Sequence, residues 1–302
     1  MNIPNFNDIS VSTKTIIATT NLKVNIKTLF EHIPITSYII VKKKRGRKKK
    51  IIVEDPNKDV PNGSIITLKY QGECKGADLK AKSNAKKGKK TYFRNALTVV
   101  MKVDNKLINF KITNNKLSGC GKFQITGCKK SEHAIKTVKY FWEYIINSDK
   151  IENTTNDFTA YFNTVMSNID FNIGFLINRE ILNMYINTNT EHNSLLETSF
   201  GYTGVNIKIP FTTPFDHNVK KISYKTDEWI DSSVLYNEYK EQLSLQDQKK
   251  ETDKERFVTF LVFHSGKIIM SGISKYYMEE YFYYFIEILD ECKELIREEL
   301  DN

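Results

Sequence analysis

The sequence is poor in the features that mark several classes of protein. Its 302 residues contain only 13 glycines and 6 prolines, which excludes a collagen-like chain and a wholly disordered one. No run of about eighteen apolar residues occurs, so we expect no membrane-spanning helix and no membrane partner. The first ten residues are polar, so we expect no signal peptide. With 40% hydrophobic residues, the chain can bury the core of one large domain or of two domains.

Cysteine and histidine are scarce and unsuitably spaced for most chemistry. The five histidines have no spacing typical of metal ligands, and no CxxC pair exists among the four cysteines, which lie at positions 74, 120, 128 and 292. We therefore expect reduced thiols in an intracellular protein, with no metal and no other cofactor. Gly119–Lys122 imitates a phosphate-binding loop, but Lys116 stands where the motif needs glycine. We expect neither an enzyme nor a small-molecule substrate.

The charged residues are distributed unevenly along the chain. The net charge is +9, yet residues 41–102 hold 19 lysines and arginines against 5 acidic residues, a difference of +14. Residues 273–302 hold 9 acidic residues against 3 basic ones, a difference of −6. A basic segment suits a polyanion such as nucleic acid, whereas an acidic end suits a basic partner. A solvated surface without a partner is the alternative.

Two stretches of the chain resemble each other. Gly121–Gly127 reads GKFQITG, and Gly266–Gly272 reads GKIIMSG. Each predicts a strand and then an amphipathic helix, with Ser131 and Ser274 as N-caps. Further strand and helix patterns pair up in the same order, at 16–33 with 167–185 and at 99–103 with 205–209. The chain is therefore predicted to contain two repeats.

Two insertions interrupt these repeats. The first, at about 38–90, is basic and holds candidate strands at 51–53 and 64–70. The second, at about 210–256, is polar, and we expect it to be a partly helical surface excursion between strands.

The repeats resemble those of the TATA-binding protein family. Phe263–Gly272, which reads FHSGKIIMSG, is similar to the family's Phe-x-Ser-Gly-Lys-x-x-x-Thr-Gly, and Gly121–Lys129 is similar to the same region of its first repeat. The resemblance covers well over half of the chain, and the two insertions look like those of divergent members in large DNA viruses of eukaryotes. It implies an α+β fold, a duplicated saddle whose curved antiparallel sheet carries helices on its convex face. The repeats would span 11–150 and 158–302.

The resemblance also implies a function. Members of the family bind A·T-rich double-stranded DNA in the minor groove and bend it to start transcription. The implied partners are DNA and a transcription initiation factor or RNA polymerase, in the nucleus, in a viral factory in the host cytoplasm or in the virion. An architectural DNA-binding protein without promoter specificity and a protein-interaction module that has lost DNA binding are the alternatives.

Matching the family's motifs gives a candidate DNA-binding set. Phe263 and Tyr202 match the aromatic wedges of the second repeat, and the first repeat has only displaced candidates, Phe93 and Phe110. The residues that match other groove-facing and phosphate-side positions are Thr15, Ile17, Thr126, Ile269 and Ser271, with Lys102, Lys122, Lys129, Lys208 and Lys267.

The first repeat departs from the family pattern. Its wedge positions, matched without gaps, are Ala96 and Ser118, and Thr15 stands where the family has asparagine. Within the basic insertion, Arg45 and Arg47 flank a glycine as in an AT-hook arm, but no proline follows. A nuclear-targeting signal or a nonspecific phosphate clamp fits that arm equally well. The acidic, aromatic C-terminal helix, at about 274–299, is expected to face away from DNA.

Overall fold

The computed structural model describes residues 3–40, 55–79, 95–114, 119–151, 157–196 and 203–298. Helices and antiparallel strand pairs make this an α+β protein built on a large antiparallel sheet. The strands, in chain order, are β1 (Val11–Lys23), β2 (Ile65–Tyr70), β3 (Glu73–Gly76), β4 (Leu97–Val103), β5 (Lys106–Asn114), β6 (Cys120–Cys128), β7 (Phe158–Asn172), β8 (Leu176–Ile177), β9 (Asn193–Leu196), β10 (Gly204–Pro210), β11 (Asn218–Lys225), β12 (Glu228–Leu235), β13 (Phe257–Phe263), β14 (Lys267–Gly272) and β15 (Arg297–Glu298). The helices are α1 (Ile26–His32), α2 (Ser131–Ile146), α3 (Arg179–Asn189), α4 (Tyr236–Glu241), α5 (Leu245–Thr252), α6 (Lys275–Glu291) and α7 (Lys293–Ile296), and Phe6–Asp8 is a short 3-10 helix.

The chain folds into two compact units. We call Ile16–Asn163 with Lys220–Ser233 the first-repeat unit, and Met1–Thr15, Thr164–Val219 and Val234–Asn302 the second-repeat unit. In the first, neighbouring strands run in the order β3-β2-β4-β5-β6-β1, and in the second they run in the order β7-β14-β13-β10-β9. Each unit thus places three core strands that are neighbours in the sheet, β4-β5-β6 or β10-β13-β14, beside its long first strand.

A helix covers one face of the sheet in each unit. In the first-repeat unit, α2 buries Val138, Phe141 and Trp142 against the strands, and the ring of Trp142 stacks on Phe158 with centroids 4.7 Å apart. This follows from the predicted apolar spacing of three and four residues, which aligns these side chains on one side of a helix. Burying each such side chain contributes about 1.5–3 kcal/mol.

The second-repeat unit has the same arrangement with α6. Phe282, Phe285 and Leu289 are fully buried, and Phe285 stacks on Phe260 of β13 with ring centroids 3.9 Å apart. The last described residues, Arg297–Glu298, pair with Leu176–Ile177 and so fix the chain beyond the helix.

One of the two predicted N-caps is confirmed. The Ser274 side chain accepts a hydrogen bond from the Tyr276 N–H at the start of α6. The prediction for Ser131 is wrong, because Ser131 is already the first helical residue and the extended residue Lys130 precedes the helix without a side-chain cap. A serine near a helix start satisfies a free N–H only when its own backbone is still extended.

Both insertions contribute ordered elements. The predicted strand at 64–70 is confirmed as β2, which pairs with β4, while the candidate at 51–53 lies outside the described residues. The second insertion is partly helical, as expected, through α4 and α5. It is not only a surface excursion, since β11 pairs with Phe158–Phe162 of β7 and Ile222 is buried in the first-repeat core.

Candidate nucleic-acid interface

The second-repeat unit presents a sheet face that its helices do not cover. Along β13, Val258, Phe260 and Val262 are buried in the core, while the residues between them are only half-buried. Alternate side chains of a strand point to opposite faces, so Leu261 and Phe263 lie opposite the core and α6. We call this the open face of the unit.

Strand register brings the side chains of the open face into rows. One row runs from Asn206 of β10 through Leu261 and Ile269 to Asp170 of β7. Ile269 was predicted to face the groove, and it lies here beside a second apolar side chain. The row therefore has an aliphatic centre between two polar ends.

The neighbouring row is polar throughout. It runs from Lys208 through Thr259 and Ser271 to Asn168. Lys208 is exposed, and its ammonium lies 5.8 Å from the centroid of the Phe257 ring. These rows thus combine hydroxyl and amide groups and the Lys208 ammonium with flat or branched apolar groups.

Phe263 lies at the end of β13 on this face. It is half-buried, and the register places it opposite Gly204, where a side chain would come within 2.7 Å of Leu261. The glycine therefore leaves room for the Leu261 side chain, next to Phe263 on the same face. The Phe263 carbonyl accepts the Gly266 N–H at 3.0 Å, which closes the turn between β13 and β14.

The glycine of the Ser-Gly-Lys motif is required by the backbone. Gly266 has a φ of +75°, and a Cβ there would lie 2.3 Å from the Phe175 carbonyl oxygen. Only glycine adopts this conformation at little cost. Part of the motif therefore serves the hairpin that holds Phe263 and Lys267 at the edge of the open face.

The open face also carries an acidic residue that the sequence pattern did not predict there. Asp170 accepts a hydrogen bond from the Ser12 hydroxyl at 2.8 Å and forms an ion pair with Lys267 at 3.0 Å. The predicted phosphate-side lysine is thus partly neutralised. The Lys267 side chain is 49% exposed and that of Asp170 is 34% exposed. Solvent therefore screens the pair, which stabilises the fold by no more than about 1 kcal/mol. The sequence signal that could have revealed it is the alternation along β7, where Asp170 lies between the buried residues Ile169 and Phe171.

The first-repeat unit has an open face of similar composition. One row joins Val100, Asn109 and Thr126, and the next joins Thr98, Lys111 and Gln124. The Thr126 hydroxyl donates to the backbone carbonyl of Asn109 at 3.1 Å. Thr126 is half-buried beside the core residue Ile125, so it lies on the side of the sheet opposite α2; its contact with DNA stays a prediction.

The two candidates on β1 differ in exposure. Ile17 is half-buried and alternates with the core residues Ile16 and Ala18, so it faces the open side. Thr15 is 9% exposed and offers little surface to a ligand.

Two of the predicted contact residues have other roles. Phe110 has no exposed surface, and its ring packs 5.8 Å from Phe141 of α2 in the core. Its assignment as a wedge is wrong, because it lies on the core side of β5. Lys102 donates to the backbone carbonyls of Asn57 and Val60, at 3.1 and 2.7 Å, so its ammonium holds a turn of the basic insertion instead of facing a phosphate.

Two more of the predicted lysines are accessible, and four candidates lie outside the described residues. Lys122 and Lys129 are exposed. Phe93, Tyr202, Arg45 and Arg47 lie outside the described residues, as does Ser118.

Metal-ligand clusters and membrane-spanning helices are both absent from the described ranges. Within them, no group of three or more His, Cys, Asp or Glu side chains converges as metal ligands would. Nor does this part of the chain contain a helix with the length and apolar character needed to cross a membrane.

No protein family model matches the sequence. The chain is similar to a protein of Invertebrate iridescent virus 6 described as "Uncharacterized protein 335L", with 26% identity over 219 residues. The similarity covers 68% of this chain and 62% of that protein, so the chain spans less than two thirds of the length of its relative.

Proposed function

We propose that the protein binds double-stranded DNA in the minor groove through the open faces of its two units, as a transcription initiation factor of the TATA-binding protein type. The two units would then be the two repeats of that fold. In support, the strand order β4-β5-β6-β1 of the first unit corresponds to the order β10-β13-β14-β7 of the second. In each unit the helix that follows the third core strand, α2 or α6, covers the face opposite the open face.

The observation that carries the proposal is the composition of the open face in the second-repeat unit. The minor groove of A·T pairs offers only acceptors on its floor. Ser271 and Asn206 can donate hydrogen bonds to them, while Leu261 and Ile269 fill the space between. Phe263 at the strand end supplies a flat ring of the kind that enters and unstacks a base step.

Charge supports a nucleic acid over another ligand. Exposed Lys122, Lys129 and Lys208 are available for phosphate contacts, and residues 41–102 carry a difference of +14 between basic and acidic residues. Such contacts release counterions, so affinity for DNA should fall steeply with salt.

The resemblance and the similarity to a viral protein support a cellular role. We infer a viral factor that bends A·T-rich promoter DNA and recruits an initiation partner or RNA polymerase, in the nucleus or a viral factory. The protein would act without a cofactor and without catalysis.

Selection of bound sequences from a random DNA pool, followed by salt-titrated fluorescence anisotropy, tests the proposal. We expect enrichment of A·T-rich sequences, bending measured by energy transfer between end labels, and a logarithmic salt slope of about −0.9 per phosphate contact. No binding to any duplex at low salt would overturn the proposal.

A second candidate is an architectural DNA-binding protein without promoter specificity. Two observations favour it: Phe110 is a core residue, and Asp170 would turn a carboxylate toward groove acceptors that it cannot bond. Tight, bent but unselective binding in the same assays would support this function over the first.

A further inference from the structure

We infer that the outer surface of α6 is a docking site for a lysine- or arginine-bearing segment of a protein partner. The surface is a stripe of exposed residues at helical spacing, Glu280, Tyr284, Glu287 and Glu291, which we call the acidic stripe. It goes beyond DNA binding, because α6 packs on the sheet face opposite the open face.

The first observation is a hollow at the N-terminal end of the stripe. It has a volume of about 420 Å³, and its lining includes Glu191, Glu280, Tyr281 and Tyr284, with aliphatic surface from Ile209 and Pro210. A lysine or arginine side chain can lay its methylenes along apolar surface and place its charge near aromatic rings and carboxylates. The hollow supplies both kinds of group.

The aromatic walls of this hollow are fixed before any ligand arrives. The Tyr281 hydroxyl accepts the Thr212 N–H at 3.0 Å and lies 3.1 Å from the Thr213 hydroxyl. The Tyr284 hydroxyl lies 2.9 Å from Nε2 of His192, and the two rings meet edge to face. Held side chains lose little freedom on binding, which favours affinity.

His192 adds no positive charge to the hollow. It is 5% exposed, and burial lowers its pKa, with Glu191 opposing that effect only in part. A pKa below the ordinary value of 6.5 keeps the imidazole predominantly neutral at pH 7. Among the described residues, its buried Nδ1 has no hydrogen-bond partner. The carboxylates of the hollow are thus not offset by a protonated histidine.

The second observation is another hollow farther along the same helix. It has a volume of about 600 Å³ and is lined by Ile3, Ile286, Glu287, Asp290 and Glu291. As in the first hollow, the described lining contains carboxylates and apolar groups but no lysine or arginine. From Glu280 to Glu291 the helix rises by about 16 Å. A single small cation cannot span this distance, whereas an extended segment of about five residues can.

Charge complementarity therefore selects the occupant. A protein of net charge +9 repels cations overall, so a basic segment that binds must find a local acidic surface. The partner we commit to is a separate protein that carries at least two basic side chains about 16 Å apart.

The test uses a fluorescein-labelled peptide of five Lys-Gly repeats and the same peptide with every lysine acetylated. The full chain should bind the first peptide and not the second. Glu280→Lys/Glu287→Lys should weaken that binding at least about tenfold, because two attractions become repulsions. Glu238→Lys/Glu241→Lys on α4, which makes the same change in net charge at exposed positions, should alter it by less than about twofold.

Two further measurements separate the possible outcomes. Circular dichroism melting of both variants shows that they fold, and their affinity for A·T-rich DNA should stay within about twofold of the parent. Equal weakening by both variants, or binding of the acetylated peptide, would overturn the inference. The inference would also be overturned if the parent chain formed a dimer that Glu280→Lys/Glu287→Lys disrupts, because the occupant would then be a second copy of the chain. Peptide binding requires no DNA, so it succeeds or fails independently of the proposed function.

Discussion

Replacing Phe263 with alanine should weaken DNA binding and reduce the bend without harming the fold. The ring lies at the end of β13, half-buried on the open face, while its neighbours Val262 and Phe260 face the core. Truncating a half-buried ring outside the core should cost about 1 kcal/mol of stability. The unfolding transition should therefore remain cooperative.

The loss of affinity can be estimated from stacking. An aromatic side chain that stacks on a base contributes about 1–3 kcal/mol, and about 1.4 kcal/mol corresponds to a tenfold change in the dissociation constant. Phe263→Ala should thus weaken binding by about 5- to 150-fold. The bend angle should fall as well, because unstacking a base step requires an apolar side chain to occupy the gap, and alanine is too short to do so.

Two variants on the same strand serve as controls. Phe257→Ala removes an equal ring from the same face, at the other end of β13, where the side chain is 38% exposed. It should change affinity by less than about twofold, apart from any effect on Lys208, which lies over that ring. Phe260→Ala removes a ring stacked on Phe285 and should cost about 3–5 kcal/mol of stability.

Energy transfer between end labels on a duplex measures the bend, and anisotropy measures affinity. Equal losses from Phe263→Ala and Phe257→Ala would show that the ring acts as general apolar surface. No loss from Phe263→Ala would refute the wedge and, with it, the argument for bending by the second-repeat unit.

Three other substitutions probe the charges. Asp170→Asn removes the acidic partner of Lys267. DNA affinity should therefore rise by up to about fivefold, and the salt slope should steepen by about 0.9. An unchanged salt slope in anisotropy titrations would contradict this. Lys102→Met should lower the free energy of unfolding in urea by about 1–2 kcal/mol and leave the salt slope unchanged, because its ammonium bonds backbone carbonyls. Neutralising the lysines and arginines of residues 42–50 should flatten the salt slope by about 0.9 for each phosphate that they contact in the parent. The order of preferred DNA sequences should stay the same. A changed order in pool selection would mean that Arg45 and Arg47 read the groove.

The hairpins and their helices could be predicted because local physics determines them. Glycines at fixed offsets mark turns, alternating apolar residues mark half-buried strands, and spacings of three and four mark the helices that cover them. Gly266 shows the strength of the signal, since both its φ and the close Phe175 carbonyl require glycine. The cap at Ser274 was predictable for the same local reason.

The roles of single side chains were less predictable, because they depend on which face of a strand each residue occupies. Phe110 was a displaced candidate for a wedge position. One step of register decides between groove and core, and the structure places Phe110 in the core. Lys102 could not be recognised as a turn anchor, since its carbonyl partners at 57 and 60 lie far away in sequence. Nor does the composition of residues 218–235 reveal that Ile222 joins the core of the first-repeat unit.

Alternation along β13 has a consequence for experiments on the second-repeat unit. Because Phe260 and Val262 face α6 while Leu261 and Phe263 face the other way, substitutions at adjacent positions act on different properties. A change at Phe260 alters stability through its contact with Phe285. A change at Phe263 alters the affinity for a ligand of the open face, and a change at Glu280 or Glu287 alters the affinity for a ligand of the acidic stripe. These two surfaces lie on opposite sides of one sheet layer, so neither ligand needs to displace the other. If DNA and a basic segment both bind, their affinities should therefore be independent, unless binding at one surface shifts the strands that hold the other.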